Sequence, residues 1–330
     1  MSAKPSSHPI VHTVNTQDQW TLSLYRYPGD LKKTRYPVLL VHGLASNRFN
    51  LDFPDEDLNL AKFLHQAGFD TWIVDLRGAG ASKTKLAHQQ QWNFDDYVLK
   101  DLPAVAKKIR QVTGKKQFHW IGHSLGGVMA YAYIQQINPK DLKSLTTIAT
   151  PVTTSRKMGY IRYTFELDRI IKYLPHMPYR FMSKIAKLFT EQILNHPHQI
   201  VISKENMTPV LLEKLLKYGV ENVPTALILQ IHDWFRHGHF KSVDRKVDYM
   251  GSLEKFTMPI LMVAGTQDSF TDPDEVKKIL GTFPSKNKKI LVFGKKFGHR
   301  VDYGHIDLVL GLHSKKEVFP AILRWLKKQD

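Results

Sequence analysis

The sequence predicts an α/β protein: a mostly parallel, twisted sheet flanked by helices, with a helical insertion in its second half. Three observations predict it. Between residues 37 and 150, short continuous apolar runs alternate with longer helical stretches, which is the rhythm of βαβ units. Within that region an apolar, aromatic run at 117–121 passes through Gly122-His123-Ser124-Leu125-Gly126-Gly127 into a longer apolar run at 128–134. A strand must therefore become a helix within about three residues. Finally, the rhythm stops over 152–250, where apolar residues recur at helical spacing, and returns at 259–265. The expected organisation is a core of residues 1–151 and 251–330 carrying a helical cap at 152–250.

In chain order, residues 10–27 read as two strands, because 20–27 alternates polar and apolar after a turn at 15–19. Residues 37–41 form a continuous apolar run, suited to a strand buried on both faces, and end in His42-Gly43-Leu44. A helix over 58–66 stops at Gly68. The strand at 70–76 runs into Arg77-Gly78-Ala79-Gly80, and 95–112 reads as a helix in which Pro103 marks a kink or a later start. The Ser124 unit follows, then a strand at 145–150 closed by Pro151. Beyond the insertion come a strand at 259–265, a helix at 273–280, a strand at 289–293, a loop holding His299 and His305, and a closing helix at 315–328. No strand of the sheet is expected between 152 and 250.

Composition narrows the chemistry. The 330 residues contain no cysteine, so disulfides, thiolate nucleophiles and thiolate-ligated metals are excluded. The first ten residues are polar with no apolar h-region, and no segment approaches the ~18 apolar residues of a membrane span. A cytoplasmic protein is the expectation. The net charge is +17, and residues 277–300 hold eight Lys/Arg with no Asp or Glu. That run suits peripheral attachment to an anionic membrane; nucleic-acid binding has no motif behind it and is discounted. His232, Asp233, His237 and His239 cluster without a convincing ligand spacing, so no metal or other cofactor is expected.

The sharp strand–helix turn flanked by glycines is the nucleophile elbow, which holds a serine hydroxyl outward on a strained backbone. A serine needs a base to take its proton and an acid to orient that base. In this setting the chain order is Ser, then Asp or Glu, then His. Asp268, after the strand at 259–265, and His305, before the last helix, fit that order. Asp272 and His299 are their rivals; Asp272 could instead cap the next helix. Oxyanion donors are expected at the N–H groups of Leu125, which opens the helix after Ser124, and Leu44. Asp75 and Arg77 read as scaffold, and His42 as a residue that shapes its loop.

These pieces, with Tyr303-Gly304-His305-Ile306-Asp307, occur in the order seen in the α/β-hydrolase superfamily, and the chain resembles its lipase and esterase branch. The tail is also similar to that of polyhydroxyalkanoate synthases, but those use Cys where this chain has Ser124, which favours hydrolysis. The resemblance implies Ser124 as nucleophile, Asp268 as acid, His305 as base, and residues 152–250 as a cap. The expected substrate is an acyl ester of lipid-like character, because Met158, Tyr160, Tyr163, Phe165, Phe181, Met182, Leu188, Phe189, Trp234 and Phe235 enrich the cap in apolar groups. Any one of them more simply packs the cap's own core. The alternatives are an acyltransferase or thioesterase on the same triad, and a binding protein without turnover.

Overall fold

The computed structural model describes residues 8–30, 36–85, 91–152, 165–196 and 201–330. Its strands in chain order are β1 (Ile10–Asn15), β2 (Thr21–Tyr27), β3 (Val38–Val41), β4 (Thr71–Asp75), β5 (Phe118–His123), β6 (Leu142–Ile148), β7 (His176–Met177), β8 (Val223–Pro224), β9 (Ile260–Gly265) and β10 (Lys288–Phe293). Eight of them form one sheet, in the order β1-β2-β4-β3-β5-β6-β9-β10. The pairs β1/β2 and β2/β4 are antiparallel, and every pair from β4 to β10 is parallel.

The apolar runs read as strands are buried on both faces. In β3, Leu39 and Val41 join one core while Val38 and Leu40 join the other, the two-residue period of a strand covered on each side. One core is completed by the helices α2 (Leu102–Thr113) and α3 (Leu125–Gln136). The other is completed by α1 (Leu60–Gln66) and the C-terminal helix Ser314–Gln329.

Two elements differ from the sequence reading. The helix expected over 95–112 begins at Phe94 under an Asn93/Asp96 capping box, then widens into a π-type turn over Tyr97–Asp101 before α2. Pro103 sits in the first turn of α2 and does not kink its middle. The wide turn carries Asp101 to Arg77, whose guanidinium donates to it at 2.7 and 2.9 Å and to Asp18 at 2.9 Å. Arg77 is therefore a buried scaffold cation, as its sequence context suggested.

Between β6 and β9 the described residues add no strand to the main sheet. They do form a small antiparallel ladder of their own, β7 with β8, which helical spacing gave no reason to expect. Its main helices are α4 (Tyr179–Ala186), α5 (Thr190–Asn195), α6 (Pro209–Tyr218) and α7 (Thr225–His237), joined by turns and irregular stretches. Met158, Tyr160 and Tyr163 lie outside the described residues. Of the remaining apolar residues singled out, Trp234 is buried, whereas Phe181, Met182, Leu188 and Phe189 are exposed. Packing within the segment does not account for those four.

The basic run at 277–300 is solvent-exposed along α8 (Pro273–Thr282) and β10. Because β10 ends the sheet, Lys288 and Lys289 also discourage strand-to-strand association there. No helix among the described residues is long and apolar enough to cross a membrane.

Candidate active site

Ser124 stands between β5 and α3 with φ +52° and ψ −121°, a backbone conformation rarely adopted by residues bearing a side chain. The turn closes because neither neighbour carries a Cβ. One on Gly122 would collide with the Gly126 carbonyl, and one on Gly126 with the carbonyls of Val41 and His42. The Ser124 N–H is held by the Ile148 carbonyl at 2.9 Å, which fixes the turn against β6.

Asp268 and His305 meet Ser124 at the carboxyl ends of the parallel strands, where a sheet of this kind opens its crevice. His305 Nε2 lies 2.8 Å from Ser124 Oγ, and His305 Nδ1 lies 3.1 and 3.2 Å from the two Asp268 oxygens. Asp268 is buried after β9, and its Oδ1 also accepts the Phe270 N–H at 2.9 Å and the Thr271 N–H at 3.2 Å. The acid and base loops are joined directly, the Gln267 N–H donating to the Tyr303 carbonyl at 2.8 Å. With Nδ1–H given to the carboxylate, Nε2 is left to accept the serine proton.

The rival residues are engaged elsewhere. Asp272 caps α8, accepting the Asp274 N–H at 2.9 Å. His299 folds back onto Gly294 at 3.2 Å and packs on Phe293. His232, His237 and His239 pair separately with Asp168, Asp233 and Asp248. Among the described residues no group of three or more His, Asp or Glu side chains is arranged to hold a metal ion.

The loop after β3 brings Leu44 beside the elbow. Gly43 packs against the Ser124 Cβ position, and the buried His42 shapes the turn. Its Nε2 accepts the Leu76 N–H at 3.3 Å, so the proton is on Nδ1, which donates to the Gly43 carbonyl at 2.8 Å. Burial pushes its pKa down to about 4 and keeps the ring neutral. Since N–H and C=O point oppositely across a trans peptide, fixing the Gly43 carbonyl fixes the Leu44 N–H. Leu125 N–H is in the first turn of α3, where no intrahelical acceptor exists. Both residues line the cavity over Ser124.

The sequence reading missed the residues that tie these loops together. Asn50 Oδ1 accepts the Gly43 N–H at 3.2 Å and lies 2.9 Å from His123 Nδ1, while His123 Nε2 lies 3.0 Å from the His305 carbonyl oxygen. Burial, with His305 close by, pushes the His123 pKa down to about 3. Asp307 is buried and accepts N–H groups from Gly304, Ser203 and the Asn206 side chain at 2.9–3.1 Å, anchoring the His305 loop to the segment before α6. His123 and Asp307 were visible only as parts of motifs; Asn50 gave no signal.

Ser124 and His305 open into a cavity of about 460 Å³ whose walls are mainly apolar, among them Leu44, Leu212, Leu215, Trp234, Phe235 and Phe270. Helices α6 and α7 supply most of the far wall, so the helical segment encloses the site.

A serine, histidine and carboxylate gathered at the carboxyl ends of a parallel sheet, under a helical cover, define a hydrolase-type site on an α/β framework. The chain belongs to the alpha/beta hydrolase fold family, whose model matches residues 36–312. It is similar to triacylglycerol lipase 2 of Arabidopsis thaliana, at 25% identity over 96% of this chain and 84% of the relative. It is also similar to human gastric triacylglycerol lipase, at 23% identity over 96% of this chain and 87% of the relative. Among solved structures, a soluble variant of the Saccharomyces cerevisiae monoglyceride lipase aligns with a TM-score of 0.67 at 16% identity, covering 98% of this chain and 96% of that one.

Proposed function

We propose that this protein is a serine hydrolase of carboxylic esters with lipid-like acyl chains. The observation that carries the reading is His305, bridging Ser124 and Asp268 at the floor of an apolar cavity. Ser124 Oγ attacks the ester carbonyl carbon as its proton passes to His305 Nε2, and Asp268 steadies the resulting imidazolium. The N–H groups of Leu44 and Leu125 receive the tetrahedral oxyanion; losing one such donor typically costs about 10²–10³ in rate. Collapse breaks the bond to the alcohol, which leaves with the proton from His305. Water, deprotonated by His305, then releases the acid from the acyl-enzyme. The similarity to named lipases supports an ester substrate. The apolar walls favour an acyl chain over a polar group, since burial gains about 0.8 kcal/mol per CH₂.

We also propose peripheral association with anionic lipid. Tyr173 and Leu188 are 79% and 77% exposed, and Ile170 and Phe181 stand out as well. Between residues 169 and 190 there are five Lys/Arg and no Asp or Glu. This apolar and basic face is a better contact surface than the run at 277–300, part of which guards the sheet edge.

Hydrolysis of p-nitrophenyl esters of increasing chain length tests the substrate class. Butyrate to octanoate should exceed acetate in kcat/KM by about tenfold or more, in line with 1.4 kcal/mol of added apolar burial. Equal or better turnover of acetate contradicts the lipid-like reading. Added alcohol separates hydrolysis from acyl transfer, since a transferase yields a new ester in place of free acid.

A further inference from the structure

Glu221 lies between α6 and α7, yet it is fastened to the loop after β3. Its backbone N–H donates to the Ala45 carbonyl at 2.8 Å. Its Oε1 accepts from Asn47 Nδ2 at 2.8 Å and from the Gly80 N–H at 3.0 Å, so one carboxylate oxygen joins the loops after β3 and β4. Asn47 Nδ2 also donates to the Tyr218 carbonyl at 2.8 Å, at the end of α6. The Glu221 side chain is 8% exposed, with Arg180 Nη1 3.4 Å from its other oxygen.

The residue it holds is strained. Ala45 has φ +52°, in the left-handed region, a conformation that a residue with a side chain keeps only where its surroundings impose it. Ala45 directly follows Leu44, whose N–H is aimed from upstream by the His42–Gly43 contact described above. Downstream, the Glu221 carboxylate, gripped by Asn47 Nδ2 and the Gly80 N–H, keeps that residue in place so that its backbone N–H restrains the Ala45 carbonyl. Without that grip the Glu221 segment shifts, Ala45 relaxes toward ordinary φ, and the turn that presents the Leu44 N–H is displaced with it.

We propose that Glu221 is a positioning residue for the oxyanion donor Leu44, so that the donor is aimed only while the helical segment is seated on the core. This rests on the hydrolase reading above and adds to it a coupling between the cover and the chemistry. Glu221 is not among the residues that line the cavity over Ser124.

The test uses the full chain with Glu221→Ala, Glu221→Gln and Asn47→Asp. It reads p-nitrophenyl butyrate kinetics, inhibition by an alkyl trifluoromethyl ketone, and thermal unfolding by circular dichroism. The ketone adduct of Ser124 places an oxyanion against Leu44, so its affinity reports donor geometry. Misaiming one donor should cost less than losing it, so Glu221→Ala is expected to lower kcat and ketone affinity together by about 10- to 100-fold, with KM within about twofold. Glu221→Gln keeps the Oε1 acceptor and should stay within about threefold of wild type. Asn47→Asp keeps the Oδ1 that caps Phe49 but turns its other oxygen toward Glu221, and should behave like Glu221→Ala.

Folded Glu221→Ala with wild-type kcat and ketone affinity overturns the proposal, as does a loss confined to KM. If Glu221→Ala does not fold, Asn47→Asp with wild-type kcat overturns it. An active Ser124→Ala variant would instead overturn the hydrolase reading itself, whereas inactive Ser124→Ala beside an unimpaired Glu221→Ala removes only the role of Glu221.

Discussion

His42 shows how one side chain's protonation shapes the site. It is neutral because burial outweighs its contacts, and its folded pKa of about 4 lies below the ordinary 6.5. The unfolded chain therefore binds more protons than the folded one between those values, so the stability His42 contributes is complete above pH 6.5 and is lost as pH falls toward 4. His123 acts with the same sign, down to about 3. Asp101 and Asp307, both pushed up to about 6 by burial, act oppositely: their contribution is present at low pH and lost as pH rises through 6. The raw profile mixes these terms, so the difference between two proteins is the informative quantity. Urea midpoints of wild type and His42→Gln between pH 8 and 4 should show a smaller acid-side loss in the variant. Parallel profiles contradict the assignment.

At the scale of elements, the elbow is a packing solution before it is a chemical one. Gly126 brings α3 onto the carbonyls of β3's last turn, and Gly122 leaves room for α3's first turn. A Gly126→Ala methyl has no space and must push α3 away from β3; overpacking of this kind typically costs about 1–3 kcal/mol and sometimes more. The variant should unfold at lower urea and lose activity out of proportion to its stability. A wild-type midpoint with full activity contradicts this account of the turn. Such a unit is legible in sequence because its serine and glycines lie within six consecutive residues between two apolar runs. Asp268 and His305 were legible for a related reason, each following a recognisable strand or motif in a fixed chain order. The π-type turn at Tyr97–Asp101, the β7/β8 ladder and Glu221 were not. They arise from contacts such as Arg77 with Asp101, or Glu221 with Asn47, that span 24 and 174 residues. No periodicity encodes those pairings.

Over the whole molecule, the sheet gathers Ser124, Asp268 and His305, and the helical segment walls the cavity above them. The same segment carries the exposed apolar and basic residues on which the proposed attachment to a lipid surface rests. With a net charge of +17, attraction to an anionic surface is general, but the apolar groups are local. Each Lys or Arg near such a surface contributes about 1 kcal/mol. Sedimentation with phosphatidylcholine vesicles should therefore increase when phosphatidylglycerol is included, and Lys172→Glu with Lys184→Glu should reduce it more than charge reversal at Lys278 and Lys289. Equal binding to neutral and anionic vesicles, or a larger effect from the Lys278 and Lys289 pair, contradicts the placement of the contact face.

The central claim is that Ser124 is the nucleophile, served by His305 and Asp268. The most direct measurement is p-nitrophenyl ester hydrolysis by folded Ser124→Ala beside wild type. Removing a triad serine elsewhere costs up to about 10⁶ in kcat, and a fall of at least about 10⁴ is expected here. Activity within tenfold of wild type would contradict the account.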